Sequence, residues 1–299
     1  MVVIECLRDR LASREYAPRT REQYARLTKL VEANPLAWLE ADQKNRAAAQ
    51  ALINAQLVAG HGRTAEQLYV WLRTCCPAMM AGARRPRYAR KRPKFLTVDQ
   101  ARRLLAAAED KQVWMAIALA LSCGLRRGEL CGLRWCDIDM DQGVMYIQNQ
   151  RQRITAAGLV DAPPKSEAGY RELPIPRHLA DFLSEWYLLQ QADALLMGRM
   201  PSYVLPGPRG NGIDPHALDR AFQGVCRAAG VECTLHGLRH TMASMGACAG
   251  VSMPVLQALL GHSSPQTTAQ YYTHAYPEAK HSALEVISFS LRWPKAPDF

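Results

Sequence analysis

The sequence predicts a mainly α protein with a small antiparallel β-sheet, an α+β fold in two parts. Apolar residues recur at helical spacing through most of the chain, a strongly basic segment divides it, and strand patterns are confined to residues 144–175. With 299 residues, of which 48% are hydrophobic and 21% charged, the chain can bury a substantial core. This composition excludes disorder over most of the chain.

The basic segment, residues 84–94, contains seven positive charges and no acid, which is most of the formal net charge of +10. Prolines 86 and 93 disfavour helix there, so we expect an extended interdomain linker. A solvated linker or a targeting tract would also have this composition, but clustered cations favour contact with nucleic-acid phosphates. The candidate DNA-binding residues are Arg84, Arg85, Arg87, Arg90, Lys91, Arg92 and Lys94.

Residues 1–83 are predicted to form a helical domain, because no alternating strand pattern occurs before the basic segment. Thr20 is the expected N-cap of its second helix. Residues 95–299 are predicted to form a second domain with a C-terminal tail. There, Thr97 and Gln100 have the spacing of a capping box that opens a helix.

The rest of the second domain is predicted to contain further helices and two strands. A buried helix is expected over residues 113–123 and ends at Gly124, and another helix begins near residue 128. Strands are expected over residues 144–154 and 171–175, joined by a long turn rich in proline and glycine, and helices follow from residue 180.

The sequence predicts neither a membrane span nor an export signal. The longest apolar run, residues 113–121, is far shorter than the roughly 20 residues that a transmembrane helix needs. The N-terminus has no basic region and an acid at position 5. Nine cysteines without regular spacing are expected to be reduced. We therefore expect a cytoplasmic protein that associates with DNA.

Three partial motifs fail when their context is considered. Residues 60–65 match G-x-G-x-x-A but follow a helical pattern rather than a strand. Residues 207–212 have two glycines at Walker spacing, but Ile213 replaces the lysine. His236 and His240 have the spacing of a zinc helix, but no glutamate stands beside the first. We therefore expect no metal and no nucleotide cofactor.

Short motifs that do fit together lie in the second half of the chain. Residues 123–130 form a Cys-Gly-Leu-Arg turn that leads into a helix, and Lys165 lies in the turn between the two strands. Residues 235–241 contain His-x-x-Arg, and residues 259–262 end in Gly-His. Tyr271 follows nine residues after that histidine. Each motif alone is common, but five in this order are specific.

This order resembles the tyrosine recombinase (phage integrase) family, whose catalytic pattern is Arg, Lys, His-x-x-Arg, Gly-His and Tyr. The resemblance covers roughly residues 95–276. A weaker resemblance links residues 16–24 to the first helix of the family's core-binding domain. The resemblance implies these catalytic residues: Arg126, Lys165, His236, Arg239, His262 and Tyr271.

The same residues suit phosphoryl transfer on chemical grounds. Fixed guanidinium groups stabilise charge on the nonbridging oxygens, and a lysine can protonate a leaving 5′ oxygen. Ionising a tyrosine with a pKa near 10 costs about 4 kcal/mol at pH 7, which cations and a histidine base offset. No carboxylate pair of the kind that metal-dependent nucleases need is apparent. The pattern therefore indicates covalent catalysis by tyrosine.

Some assignments stay open at this point. Tyr271 and Tyr272 point about 100° apart on a helix, so one of them is expected to enter the site. Counting from His262 selects Tyr271, and aligning residues 273–274 selects Tyr272. Arg127 is an alternative to Arg126 as the phosphate ligand. Two further residues are expected to support the site by orienting its side chains, Glu129 and His240.

The resemblance implies a site-specific DNA recombinase that forms a 3′-phosphotyrosyl intermediate. It also implies double-stranded DNA recombination sites as partners, a tetramer of this chain on DNA, and accessory DNA-bending proteins as further candidates. The tail beyond residue 276 packs either on a neighbouring protomer or on its own domain. The alternatives are an enzyme like type IB topoisomerase, which needs no paired sites, and a DNA-binding regulator without catalysis.

Overall fold

The computed structural model describes residues 1–89, 95–155, 157–196, 198–264, 266, 268 and 269. These residues form two compact units. The first unit contains residues 1–89, with residues 154 and 155 also assigned to it, and the second contains the other described residues from 95 onward. The predicted fold class, mainly α with small antiparallel sheets, is confirmed.

Helices alone form the regular structure of residues 1–89. The second helix of this unit, α2 (Pro18–Glu32), begins at Pro18 with Ala17 as its N-cap. The predicted N-cap at Thr20 is therefore wrong, because a proline, with its fixed φ, begins the helix two residues earlier. The α-helices of this unit are α1 (Val3–Ser13), α2 (Pro18–Glu32), α3 (Arg46–Val58) and α4 (Gly62–Cys75).

Trp71 of α4 lies at the centre of the core of the first unit. Its ring stacks on Tyr24 of α2 at 4.1 Å between centroids, and its indole N–H donates to the hydroxyl of Thr28 at 3.2 Å. The side chain is fully buried. A large aromatic ring with its polar atom satisfied contributes both apolar burial and a fixed orientation of α4 on α2.

The first part of the basic segment packs on α4. Arg85 forms an ion pair with Glu66 at 2.6 Å, and the hydroxyl of Tyr88 donates to the same carboxylate at 3.0 Å. Gly62 lies under the Tyr88 ring, where a Cβ would collide with it. Residues 84–88 therefore follow a fixed path, while residues 90–94 lie outside the described residues.

The second unit combines helices with two small sheets. Its helices are α5 (Val98–Ala106), α6 (Lys111–Cys123), α7 (Arg127–Gly132), α8 (Arg177–Leu196), α9 (Pro215–Ala228), α10 (Leu235–Cys248) and α11 (Met253–Leu260). Its strands are β1 (Ile138–Asp139), β2 (Val144–Ile147), β3 (Gln150–Ile154), β4 (Gly158–Ala162) and β5 (Arg171–Pro174). One sheet has the antiparallel order β1-β2-β5, with Met145 opposite Leu173, and the other contains β3 and β4.

Several local predictions for the second unit are confirmed, and one is wrong. The Thr97 hydroxyl accepts from the Gln100 N–H at 3.2 Å, and the Gln100 amide oxygen accepts from the Thr97 N–H at 2.9 Å. Gly124 ends α6 in the left-handed conformation, at φ +64°. Residues 144–154 do not form one strand, because β2 pairs with β5 in the core while β3 pairs with β4.

The core of the second unit surrounds α6, most of whose side chains are buried. Helix α10 packs directly on α6, and this contact brings the ends of both helices to the same region as α7 and α11. Within the described part of the chain, no helix is both long enough and apolar enough to cross a membrane.

Removing the Trp71 ring should destabilise the protein far more than removing an exposed tryptophan of the same unit. We expect Trp71→Ala to lower the free energy of unfolding by about 3–5 kcal/mol, because it leaves a cavity. Trp38, which is 64% exposed, is the matched control, and Trp38→Ala should change it by about 0.5 kcal/mol or less. Urea unfolding of the full chain measures the free energy of unfolding of both variants. Equal losses in the two variants would contradict the central position of Trp71 in the core.

Candidate active site

Arg126 lies between the end of α6 and the start of α7, where it serves as the N-cap of α7. Its backbone N–H donates to Glu129 Oε2 at 2.9 Å, and its Nη1 donates to Glu129 Oε1 at 2.6 Å. A glutamate at the third position of a helix can accept from the N-cap backbone in this way, and here the same carboxylate also accepts from the N-cap side chain. The Arg126 side chain stays 34% exposed, so a ligand can reach its guanidinium group.

The buried carboxylate of Glu129 also binds Arg171 of β5. Arg171 Nη2 donates to Oε2 at 2.8 Å and Nη1 donates to Oε1 at 3.1 Å, a bidentate pair. Burial alone would raise the pKa of Glu129, but the hydrogen bonds and charge of Arg171, with the charge of Arg126, lower it to about 2. Glu129 is therefore ionised and orients two guanidinium groups.

Arg239 of α10 is fully buried beneath this pair. Its Nη1 donates to the carbonyl of Gly124 at 2.6 Å, and its Nη2 donates to the carbonyl of Leu260. These bonds hold the ends of α6 and α11 together. The buried charge of Arg239 adds to the effect of burial in lowering the pKa of His236 and of His262.

The end of α11 accepts hydrogen bonds from three different arginines. Arg171 Nε donates to the Leu259 carbonyl at 2.9 Å, Arg239 donates to the next carbonyl, and Arg126 Nη2 donates to that of Gly261 at 2.7 Å. Carbonyls in the last turn of a helix lack partners within the helix, and its negative dipole end attracts cations. The end of α11 therefore holds the guanidinium groups of Arg126, Arg171 and Arg239 close together.

His236 and His240 lie one turn apart on α10, with ring centroids 4.7 Å from each other in an edge-to-face arrangement. The Thr234 hydroxyl caps this helix by accepting from the Gly237 N–H at 3.0 Å. His236 is exposed, whereas His240 is buried. Partial removal from water, together with the charges of Arg239 and Arg126, lowers the pKa of His236.

His262 follows Gly261, which ends α11 in the left-handed conformation at φ +59°. The ring is buried, and its Nδ1 lies 2.9 Å from the hydroxyl of Thr268. Burial and the neighbouring charges of Arg239 and Arg126 lower the pKa of His262 to about 3. The imidazole is therefore neutral at pH 7 and acts through hydrogen bonds rather than through charge.

The structure brings six of the residues selected from the sequence into this cluster. They are Arg126, Glu129, His236, Arg239, His240 and His262. Arg127, the alternative phosphate ligand, instead forms an ion pair with Asp219 of α9. In the chain as far as it is described, no group of three or more His, Cys, Asp or Glu residues could hold a metal ion.

The other residues selected from the sequence either have no described contact with this cluster or lie outside the described residues. Lys165 is exposed in the turn between β4 and β5. Both candidate nucleophiles, Tyr271 and Tyr272, lie outside the described residues. In the first unit, Arg84 and Arg87 are exposed and Arg85 is paired with Glu66. The remaining four basic residues also lie outside the described ranges: Arg90, Lys91, Arg92 and Lys94.

Arg171 and Thr268 belong to the cluster although neither is among the candidate site residues; the resemblance places Arg171 only in the short strand that follows Lys165. Arg171 is placed at the start of a short predicted strand, and nothing local indicates that its side chain is buried against Glu129. Thr268 is fully buried beside His262. Its spacing of six from the histidine is compatible with many arrangements, so only the fold identifies the contact.

Comparison with known proteins shows the family to which the chain belongs. Residues 94–279 match the profile of the phage integrase family. A XerC-like tyrosine recombinase of Caldanaerobacter subterraneus subsp. tengcongensis is 29% identical over 205 residues, 64% of this chain and 52% of that protein. Tyrosine recombinase XerA of Thermococcus kodakarensis is 32% identical over 205 residues, 67% of this chain and 64% of that protein. The chain thus spans between about half and two thirds of these relatives.

Solved integrase structures share the fold. The Tn1549 transposon integrase in complex with transposon right end DNA matches with a TM-score of 0.79 at 20% identity, over 96% of this chain and 100% of that chain. A lambda integrase dimer bound to a COC′ core site matches with a TM-score of 0.68 at 20% identity, over 99% and 79%. The fold is therefore that of tyrosine recombinase integrases. The chain belongs to the phage integrase family.

The ion pairs of Glu129 should be visible in the pH dependence of stability. Its pKa is lowered in the folded state, so its contribution is present above the unfolded pKa, near 4.5, and is lost as the pH falls toward 2. We expect this loss to be about 3 kcal/mol, and Glu129→Gln to flatten the profile. Urea unfolding from pH 6 to pH 2 measures it, with the exposed Glu185→Gln as the control.

His262 should stay neutral across the physiological range, because its pKa is lowered to about 3. In NMR spectra of the full chain with labelled histidine, we expect its ring signals to stay constant between pH 8 and pH 5. Assignment uses the His262→Gln variant, in which these signals are missing. A titration midpoint above about pH 5 would contradict this prediction. It would mean that the ring is more exposed to water, or farther from the charges of Arg239 and Arg126, than in this structure.

Proposed function

We propose that this protein is a site-specific DNA recombinase that cleaves and rejoins strands through a covalent 3′-phosphotyrosyl intermediate. The observation that carries the proposal is the convergence of guanidinium and imidazole groups from α7, α10 and the end of α11. In the sequence, two tyrosines follow this cluster directly. Guanidinium and imidazole groups that are followed in the sequence by a tyrosine suit covalent phosphoryl transfer.

Each described residue has a distinct part in the proposed reaction. The exposed edge of Arg126 binds the nonbridging oxygens of the scissile phosphate, and the buried charge of Arg239 adds to the positive potential. His236, whose pKa is lowered, is neutral at pH 7 and can accept the tyrosine proton. His262, neutral and held by Thr268, serves as a hydrogen-bond donor. Glu129 and His240 orient these groups.

The proposed bond changes balance without a cofactor. The oxygen of Tyr271, or of Tyr272 in the other register, attacks phosphorus, and a new phosphotyrosyl bond forms as the bond to the 5′ oxygen breaks. Lys165 gives a proton to that oxygen and leaves a 5′-hydroxyl. The 5′-hydroxyl of a partner strand then attacks the phosphotyrosine and releases the enzyme. Because one phosphodiester replaces another, no nucleotide is consumed.

We also propose duplex DNA as the partner and a tetramer as the active form. The net charge of +10 and the exposed Arg84 and Arg87 support binding to phosphates. In this proposal residues 1–83 are the core DNA-binding domain, 84–94 the linker and 95–299 the catalytic domain. The solved structure of a lambda integrase tetramer bound to a Holliday junction supports the proposed tetramer. We further propose that accessory DNA-bending proteins take part and that the protein works on DNA in the cytoplasm.

Covalent adduct formation tests the proposed function. The substrate is a nicked duplex that contains a site recovered by binding selection from a random-sequence duplex library. We expect wild type to form an adduct with DNA in EDTA that survives SDS gel electrophoresis, and Tyr271→Phe to form none. The expected loss is at least about 100-fold, because the nucleophile is removed. Tyr272→Phe is the matched control, with the same change one residue away.

The outcomes distinguish the alternatives. Loss of the adduct only in Tyr272→Phe would keep the mechanism and change the register of the nucleophile. No adduct on DNA that the protein binds would favour a DNA-binding regulator. Relaxation of supercoiled DNA without any dependence on paired sites would favour an enzyme like type IB topoisomerase. Strand exchange that requires two sites would support recombination.

A further inference from the structure

The position of Lys165 raises a physical question, since its side chain is exposed in the turn between β4 and β5. A lysine has a flexible four-carbon stem that can adopt many rotamers. Proton transfer to a leaving oxygen requires hydrogen-bond distance in the transition state. In the proposed function Arg126 binds the same scissile phosphate. The backbone of this turn must therefore be fixed relative to Arg126.

Gln150 of β3 holds this turn directly. Its amide Nε2 donates to the carbonyl of Pro163 at 2.7 Å, two residues before Lys165. Proline fixes its own φ and restricts the residue before it, and the sequence here is Pro163-Pro164-Lys165. The Pro164 ring lies against Gly169, where a Cβ would come within 2.5 Å of it. A hydrogen bond at Pro163 therefore restrains the backbone up to Lys165.

The other end of this connection is α7, which begins at the Arg126 cap. Gly132 of α7 lies so close to β3 that a Cβ would come within 2.9 Å of the Arg151 backbone nitrogen, and one on Gly128 within 3.2 Å of its carbonyl oxygen. Arg151 Nε in turn donates to Asp161 of β4 at 2.6 Å. Gln150 thus stands on a strand that is fixed to the helix of Arg126.

The far side of the turn is held by the cluster itself. Arg171 Nη1 donates to the carbonyl of Gly169 at 3.1 Å, and a Cβ on Gly261 would collide with the carbonyl of Ala168. The turn is therefore held on both sides of Lys165. On the β3 side, among the described hydrogen bonds from side chains to this turn, the bond from Gln150 is the one closest in sequence to Lys165, at Pro163.

We propose that Gln150 is a positioning residue that sets Lys165 for proton donation to the leaving 5′ oxygen, by holding the Pro163 carbonyl. This inference rests on the proposed function. It goes beyond that function by assigning a role to a residue that no motif selects. In this proposal Gln150 acts through Lys165 rather than on the reacting groups themselves.

The test compares two leaving groups on the same DNA. One nicked duplex, on the site recovered by binding selection, has the ordinary 5′-bridging oxygen, and the other has a 5′-bridging sulfur. A thiol ionises near pH 8.5, so sulfur leaves without a proton. We expect Gln150→Leu to slow adduct formation about tenfold or more with oxygen and to stay within about twofold of wild type with sulfur. Lys165→Ala should have the same pattern with a larger loss.

Gln112→Leu is the matched control, because Gln112 Nε2 also donates to a proline carbonyl, that of Pro206, at 2.7 Å, away from the Lys165 turn. We expect it to leave both rates unchanged. Gln150→Glu, which keeps the size but removes the amide donor, repeats the test if the leucine variant does not fold. Thermal unfolding of each full-length variant checks that it is folded.

Equal slowing of both substrates by Gln150→Leu would overturn the inference, because a general structural role affects both leaving groups. Unchanged rates on both substrates would also overturn it. If Lys165→Ala itself does not discriminate oxygen from sulfur, the lysine is not the acid, and the inference fails while covalent cleavage stands. Absence of any wild-type adduct would overturn the proposed function and the inference together.

Discussion

Three successive carbonyl groups at the end of α11 each accept a hydrogen bond from a different arginine, and the site depends on this arrangement. Arg171, Arg239 and Arg126 come from β5, α10 and the start of α7. Arg171 and Arg239 are buried, and burying a cation costs several kcal/mol unless partners compensate. The helix end supplies carbonyls and a negative dipole, and Glu129 supplies the one buried carboxylate between two of them. Elements far apart in sequence are thereby fixed within hydrogen-bond distance.

Burial and the same cations together determine the state of the histidines. Burial is the larger cause that lowers the pKa of His236 and of His262, and the charges of Arg239 and Arg126 lower both further. The cluster therefore combines permanently charged guanidinium groups with neutral imidazoles. Guanidinium groups suit the charge of a phosphate, whereas neutral imidazoles can accept or donate a proton. Both properties follow from one packing arrangement, because the buried arginines that hold the helix ends also set the electrostatic potential.

Local sequence signals predicted a large part of this structure. The capping box at Thr97 and the left-handed Gly124 were predictable because each involves residues within one turn of helix. The division of residues 144–154 into strands of two different sheets was not, because the pairing partners are distant in sequence. The ordered motifs identified the family, which the profile match confirms. The roles of the individual residues stay predictions.

By itself, the sequence determined the types and order of the chemical groups: arginines, a lysine, histidines and a tyrosine in the order of the family, with a basic segment before them. Only the tertiary structure decided which guanidinium group is accessible and that Arg239 is buried. It also decided that Arg171 bonds to Glu129, that Thr268 bonds to His262, and that Gln150 bonds to the Pro163 carbonyl. The physical reason is that motifs record local spacing, whereas burial and hydrogen-bond partners depend on contacts between distant segments.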